Sequence, residues 1–180
     1  MVMYRFRILS LFLLIACNNG AKQSPEADVI KRLIGKELIF TDNLLPETIE
    51  KKTPFSFELF RKKPLKIVAI INLDCGLCIE SLNGWEEYLK NKDITFILIV
   101  GGNDFEFFKA LKNNESQIFE NIFHDKNNIF EMTNKIPRET RFKTFLIDKD
   151  NKILLIGNPL FNKNIDKLYE KEISNLATKQ

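Results

Sequence analysis

The strongest signal along the chain is LKIVAIINL (65–73), a nearly continuous β-branched run of the kind found in strands buried on both faces. ITFILIV (94–100) is a second such run. Between them the period changes: Cys78, Leu82, Trp85 and Leu89 recur at i, i+4, i+7 and i+11, which predicts a helix reaching about Lys90. Gly101-Gly102 makes the next turn, and DFEFFKALKN (104–113) puts Phe105, Phe108 and Leu111 on one helical face. IFENIF (118–123) predicts another strand, with a short helix near Asn128 to Thr133. TFLID, a KDN turn and KILLIG (144–157) read as a β-hairpin. A last helix carries Ile165, Leu168, Tyr169, Ile173 and Leu176 on one stripe. Upstream, KELIF (36–40) and FSFELF (55–60) are short, aromatic-rich and partly alternating, as in strands near a sheet edge. The order β-α-β-α-β-(α)-β-β-α predicts an α/β three-layer sandwich, a central mixed sheet flanked by helices.

The first residues break from this pattern. Arg5 and Arg7 precede ILSLFLLIA (8–16), apolar except for Ser10 and too short for a bilayer core, which needs about 20 apolar residues. That is a signal peptide pattern. Leu14-Ile15-Ala16-Cys17 resembles the bacterial lipobox, where cleavage leaves an N-terminal cysteine carrying palmitoyl and other acyl chains. The alternative is an uncleaved anchor with an incidental cysteine. The expected organisation is a signal peptide over 1–16, a lipidated N-terminus and polar tether over 17–28, and one domain over 29–180. Several acyl chains on Cys17 would anchor that domain stably. The expected location is the cell envelope, on the outer membrane by preference, with the domain facing the periplasm.

Cleavage changes the charge balance. The 180 residues include 27 basic and 24 acidic ones, and loss of Arg5 and Arg7 lowers the basic count to 25. The isoelectric point of about 8.7 is therefore no argument for nucleic acid, and no aromatic–basic motif supplies one. Gly101-Gly102 lacks a GxGxxG or Walker context, so no phosphate site and no cofactor are expected.

Of three cysteines, Cys17 would carry lipid, leaving Cys75 and Cys78 in NLDCGLC (72–78). Such a pair can be a redox couple, half of a metal site or a passive crosslink. Cys75 would sit at a helix N-terminus, where unpaired amides and the macrodipole stabilise a thiolate. Asp74 works against this, since an adjacent carboxylate disfavours the thiolate. Cys78, one turn in and on the apolar face, would be the buried resolving thiol. Structural zinc needs four ligands, and neither a second CxxC nor a histidine pair exists. A copper site built from the two cysteines and His124, the one histidine, is a further alternative. No metal is expected.

Strand–DCGLC–helix together with the distal TFLIDKDNKILLIGNP resembles the thioredoxin superfamily, in particular the membrane-anchored reductases and redoxins of the TlpA/ResA type. The upstream IGKELIF is similar to the segment that opens those domains, and the likeness spans roughly Leu33 to Ile173. The TFLIDKDNKILLIGNP block also resembles small thioredoxin-like lipoproteins of Gram-negative bacteria. The resemblance implies a thioredoxin-like sandwich and thiol–disulfide exchange, with Cys75 as nucleophile, Cys78 as resolver and Asp74 as a stand-in proton relay. Its partners would be protein thiols or disulfides in the envelope and an unidentified electron donor. The chain departs from the family pattern at four places. Asp74 stands where Trp is usual, Ala69 where a buried acid is common, and Asn83 where the helix commonly has Pro. Phe142 or Lys143 stands where the family has a cis-proline that docks substrate backbone, Pro137 being too far upstream. A non-catalytic lipoprotein with a structural disulfide is the alternative to an enzyme.

Overall fold

The computed structural model describes residues 24–41, 44–47, 63–73, 76–103, 105, 106, 108 and 121–177. Six strands form one sheet: β1 (Leu45–Glu47), β2 (Leu65–Asn72), β3 (Thr95–Gly101), β4 (Ile122–Asp125), β5 (Thr144–Asp148) and β6 (Ile153–Ile156), in the order β1-β4-β3-β2-β5-β6. β2, β3 and β4 run parallel, whereas β1, β5 and β6 pair antiparallel, so the sheet is mixed as expected. Among the described residues, four α-helices with defined bounds accompany it: α1 (Pro25–Leu33), α2 (Gly76–Leu89), α3 (Ile129–Thr133) and α4 (Lys163–Ala177).

Strand alternation divides the core into two layers. Ile67, Ala69 and Ile71 of β2 face one side with Phe96, Leu98 and Val100 of β3; α2 and Tyr169 of α4 cover them. Val68 and Ile70 face the other side with Ile97 and Ile99, covered by Leu33 of α1 and Phe130 of α3. The stripe read on α2 is the buried one: Leu82 and Trp85 are each 1% exposed, and Trp85 packs 4.9 Å from Phe96 between ring centroids. Burying a Trp of this kind contributes on the order of 3 kcal/mol or more, judged by what truncation costs.

Several expectations give way to the structure. KELIF forms no strand. Leu38 is buried and its N–H donates to the Asn151 carbonyl at 2.9 Å, but the segment joins the sheet only through an isolated Glu37–Lys152 bridge. The Asn134 side chain takes both backbone groups of Ile39, at 2.7 and 3.0 Å, and so draws the chain out of strand pairing. The tether read over 17–28 ends earlier, because α1 begins at Pro25 with the Ser24 hydroxyl accepting from Ala27 N–H. Leu168 leaves the stripe of α4 and is exposed, while Ile165, Tyr169 and Ile173 pack on the core; the side chain of Leu176 lies outside the described ones. The strand read over 118–123 is observed as Ile122–Asp125, its first residues lying outside the described ones. FSFELF and Leu111 also lie outside them.

Candidate functional site

β2 ends at Asn72, and the Leu73 N–H still donates to Gly101 O at 3.2 Å, anchoring the chain beside the end of β3. Four residues after β2, α2 opens at Gly76, so Cys78 falls in its first turn, where backbone N–H groups lack helical partners. Cys78 is 7% exposed and belongs to the core layer with Leu82 and Trp85. Its carbonyl accepts from the Ser81 hydroxyl at 2.7 Å. Asp74, Cys75 and Cys17 lie outside the described residues.

Cys78 lines a cleft of about 560 Å³, a size suited to a ligand or to side chains of a partner. Ala69 and Ile71 of β2, Trp85 of α2 and Thr144 at the head of β5 contribute to its walls. Thr144 pairs with Ala69 across the strands. A 3-10 turn, Thr140–Phe142, closes the far wall. The Arg141 guanidinium there pairs with the Glu26 carboxylate of α1. Phe161, 70% exposed, and Ile30, 40% exposed, stand at the rim. The charged groups of the lining pair with each other, which leaves an apolar interior.

Phe142 is a buried wall residue, and Lys143 is buried as well, its ammonium 2.9 Å from a Glu131 carboxylate oxygen. Nothing local in the sequence announces that pair: its members are 12 positions apart, on different elements. His124 Nε2 donates to the Gly102 carbonyl at 2.8 Å, and its ring stacks on Phe105 with centroids 4.6 Å apart. Since a carbonyl only accepts, that nitrogen carries a proton. Among the described residues no group of three His, Cys, Asp or Glu side chains is arranged to hold a metal.

The site therefore sits where a parallel strand passes into a helix. The two elements belong to a β-α-β unit completed by an antiparallel hairpin and a closing helix, with β3-β2-β5-β6 adjacent in that order. The fold is thioredoxin-like. No family model matches the chain, and no curated protein matches it. Solved structures do. The exposed lipoprotein thioredoxin of Streptococcus pneumoniae is 16% identical, with 63% of this chain and 88% of that one covered and a TM-score of 0.49. A thioredoxin-like protein from Bacteroides caccae is 17% identical over 80% of this chain and 52% of its own, with a TM-score of 0.46. The N-terminal domain of PilB from N. meningitidis is 15% identical over 57% and 83%, with a TM-score of 0.42.

Proposed function

We propose that this protein is a thiol–disulfide oxidoreductase of the bacterial cell envelope, using Cys75 and Cys78 and held to the membrane by lipid on Cys17. The observation that carries the reading is the position of Cys78: buried, in the first turn of the helix that follows the central strand, on the wall of an apolar cleft. Such a sulfur is sheltered from solvent, as a resolving cysteine must be. The residue three positions earlier in sequence would meet the partner first. Cys75, as thiolate, attacks a partner disulfide and forms a mixed disulfide, releasing one partner thiolate. Cys78 then attacks Cys75, releasing the second partner thiolate and leaving an oxidised Cys75–Cys78 pair. Two electrons pass to the partner, and a thiol donor in the envelope restores the pair.

Asp74 makes Cys75 less acidic than a helix N-terminus alone would, so the pair is not strongly oxidising and serves reduction. The Gly102 carbonyl engages His124 Nε2, which favours this reading over a copper site. The signal over 1–16 and the lipobox cysteine support export, with the domain facing the periplasm. The test is the reduction potential of the pair, titrated against a thiol–disulfide buffer in the full chain. A potential near or below that of the general thiol pool fits a reductant. A potential well above that of the pool, which marks an oxidant, refutes it.

A further inference from the structure

α1 separates its charges along its length. Glu26 and Asp28 occupy its first turn, Lys31 and Arg32 its last. That last turn meets the end of α3 and the segment after α1 in one surface. The Arg32 guanidinium donates to Lys135 O at 3.3 Å, and the Lys135 N–H donates to Met132 O at 3.2 Å. Asn134 holds both backbone groups of Ile39. Three apolar side chains stand out here: Ile34 is 41% exposed, Ile39 52% and Met132 65%. Lys31, Arg32, Lys36 and Lys135 are exposed beside them, and no ion pair among the described residues engages any of the four. Glu37 is the acid within 31–39, and its backbone bridges to Lys152, another exposed cation.

Exposed apolar side chains are ordinary when scattered singly. Grouped and ringed by cations, they suit an anionic bilayer: the apolar groups enter the interface and the lysine stems lie along it toward the headgroups. Chain length favours that occupant. Cys17 precedes Ser24, the N-cap of α1, by seven residues. Seven residues span at most about 25 Å. The nine residues of α1 span about 14 Å. Lipid on Cys17 therefore reaches back past the far end of α1, where this surface lies.

We propose that Ile34, Ile39 and Met132, with the cations beside them, seat the domain on the anionic phospholipid bilayer that holds Cys17. This rests on the lipid anchor proposed above and adds an orientation to it. The Gly35 N–H donates to Ile153 O at 2.8 Å, at the opening of β6, whereas Ile156 and Gly157 at the other end of that strand line the cleft. Glu26, at the other end of α1, pairs with Arg141 on the cleft wall. Seated in this way, the domain holds the cleft and Cys78 off the lipid, open to partners arriving through the periplasm.

The test is amine footprinting of the mature, acylated protein with a water-soluble acetylating reagent, read by mass spectrometry. It compares vesicles of phosphatidylethanolamine and phosphatidylglycerol with vesicles of phosphatidylcholine alone. On the anionic vesicles Lys31, Lys36 and Lys135 should each react about fivefold more slowly, the scale of one cation's attraction to such a surface. Lys167 and Lys171 of α4, which covers the other face of the sheet, should react equally on both. Ile34→Ser/Ile39→Ser/Met132→Ser keeps the cations as reporters and should lose most of the protection. Should that variant not fold, Met132→Ser alone should lose part of it. Equal reactivity of wild type on both vesicles, or protection unaltered by the substitutions, overturns the proposal and leaves the anchor standing. So does protection on phosphatidylcholine that grows with protein density, which marks a second copy of the chain as the occupant. A mature protein that carries no acyl chain and does not float with vesicles overturns the anchor and the seating together.

Discussion

The Tyr169 hydroxyl donates to the Gly157 carbonyl at 3.1 Å, tying the closing helix α4 to the end of β6 in a fully buried place. Gly157 has φ +123, a backbone conformation that side chains rarely adopt, and Ile165 packs 3.2 Å from where a Cβ would be. Phenol, helix and glycine therefore fix one another. Burial pushes the phenol well above its ordinary range, with Tyr88 adding to the effect, so it stays a neutral donor. Tyr169→Phe should leave the Gly157 carbonyl without this donor and lower stability by about 1–2 kcal/mol. Urea unfolding should show an earlier midpoint with unchanged slope. Gly157→Ala should cost more, since strain adds to the clash.

Lys66 supplies a pH-dependent term. It is buried within β2 and its ammonium donates to Lys149 O at 3.2 Å. Burial lowers its pKa from 10.5 to about 8, partly offset by Asp148 and Asp150. Between those values the unfolded chain binds more protons at this site than the folded one, so the Lys66 contribution to stability rises with pH from about 8 to 10.5. The difference in unfolding free energy between wild type and Lys66→Met should therefore shift in favour of wild type across that window. A difference that stays flat from pH 7 to 10.5 contradicts the assignment.

The anchor is tested at Cys17. Cys17→Ser should accumulate unprocessed precursor, and intact-mass measurement of wild type should find acyl chains on Cys17. A mature chain that starts elsewhere, with Cys17 unmodified, would remove the membrane from the account.

Much of the fold was legible because its central strands are buried on both sides. β2, β3, the β5–β6 hairpin and the stripe of α2 all follow from apolar runs or spacing, and no tertiary contact had to be guessed. The tether reading gives way over Pro25–Asp28, where the composition is polar, though Ser24-Pro25 with Glu26 and Asp28 carries the signals of a helix start. KELIF was misread because its fate is decided by Asn134, 95 positions later than Ile39. The same limit applied at the site. Cys78 could be placed from strand and helix signals, whereas the Lys143–Glu131 pair, the cleft and the Arg141–Glu26 contact exist only once distant elements meet.

The central claim is that Cys75 attacks and Cys78 resolves. Cys78→Ser removes the resolving sulfur, so mixed disulfides formed through Cys75 should persist. They should appear on non-reducing gels of envelope fractions as adducts that collapse with reductant. Cys75→Ser, which leaves of the pair only the buried sulfur of Cys78, should give almost none. Equal trapping by the two variants, or none by either, would contradict Cys75 as nucleophile and leave a thioredoxin-like fold without its exchange chemistry.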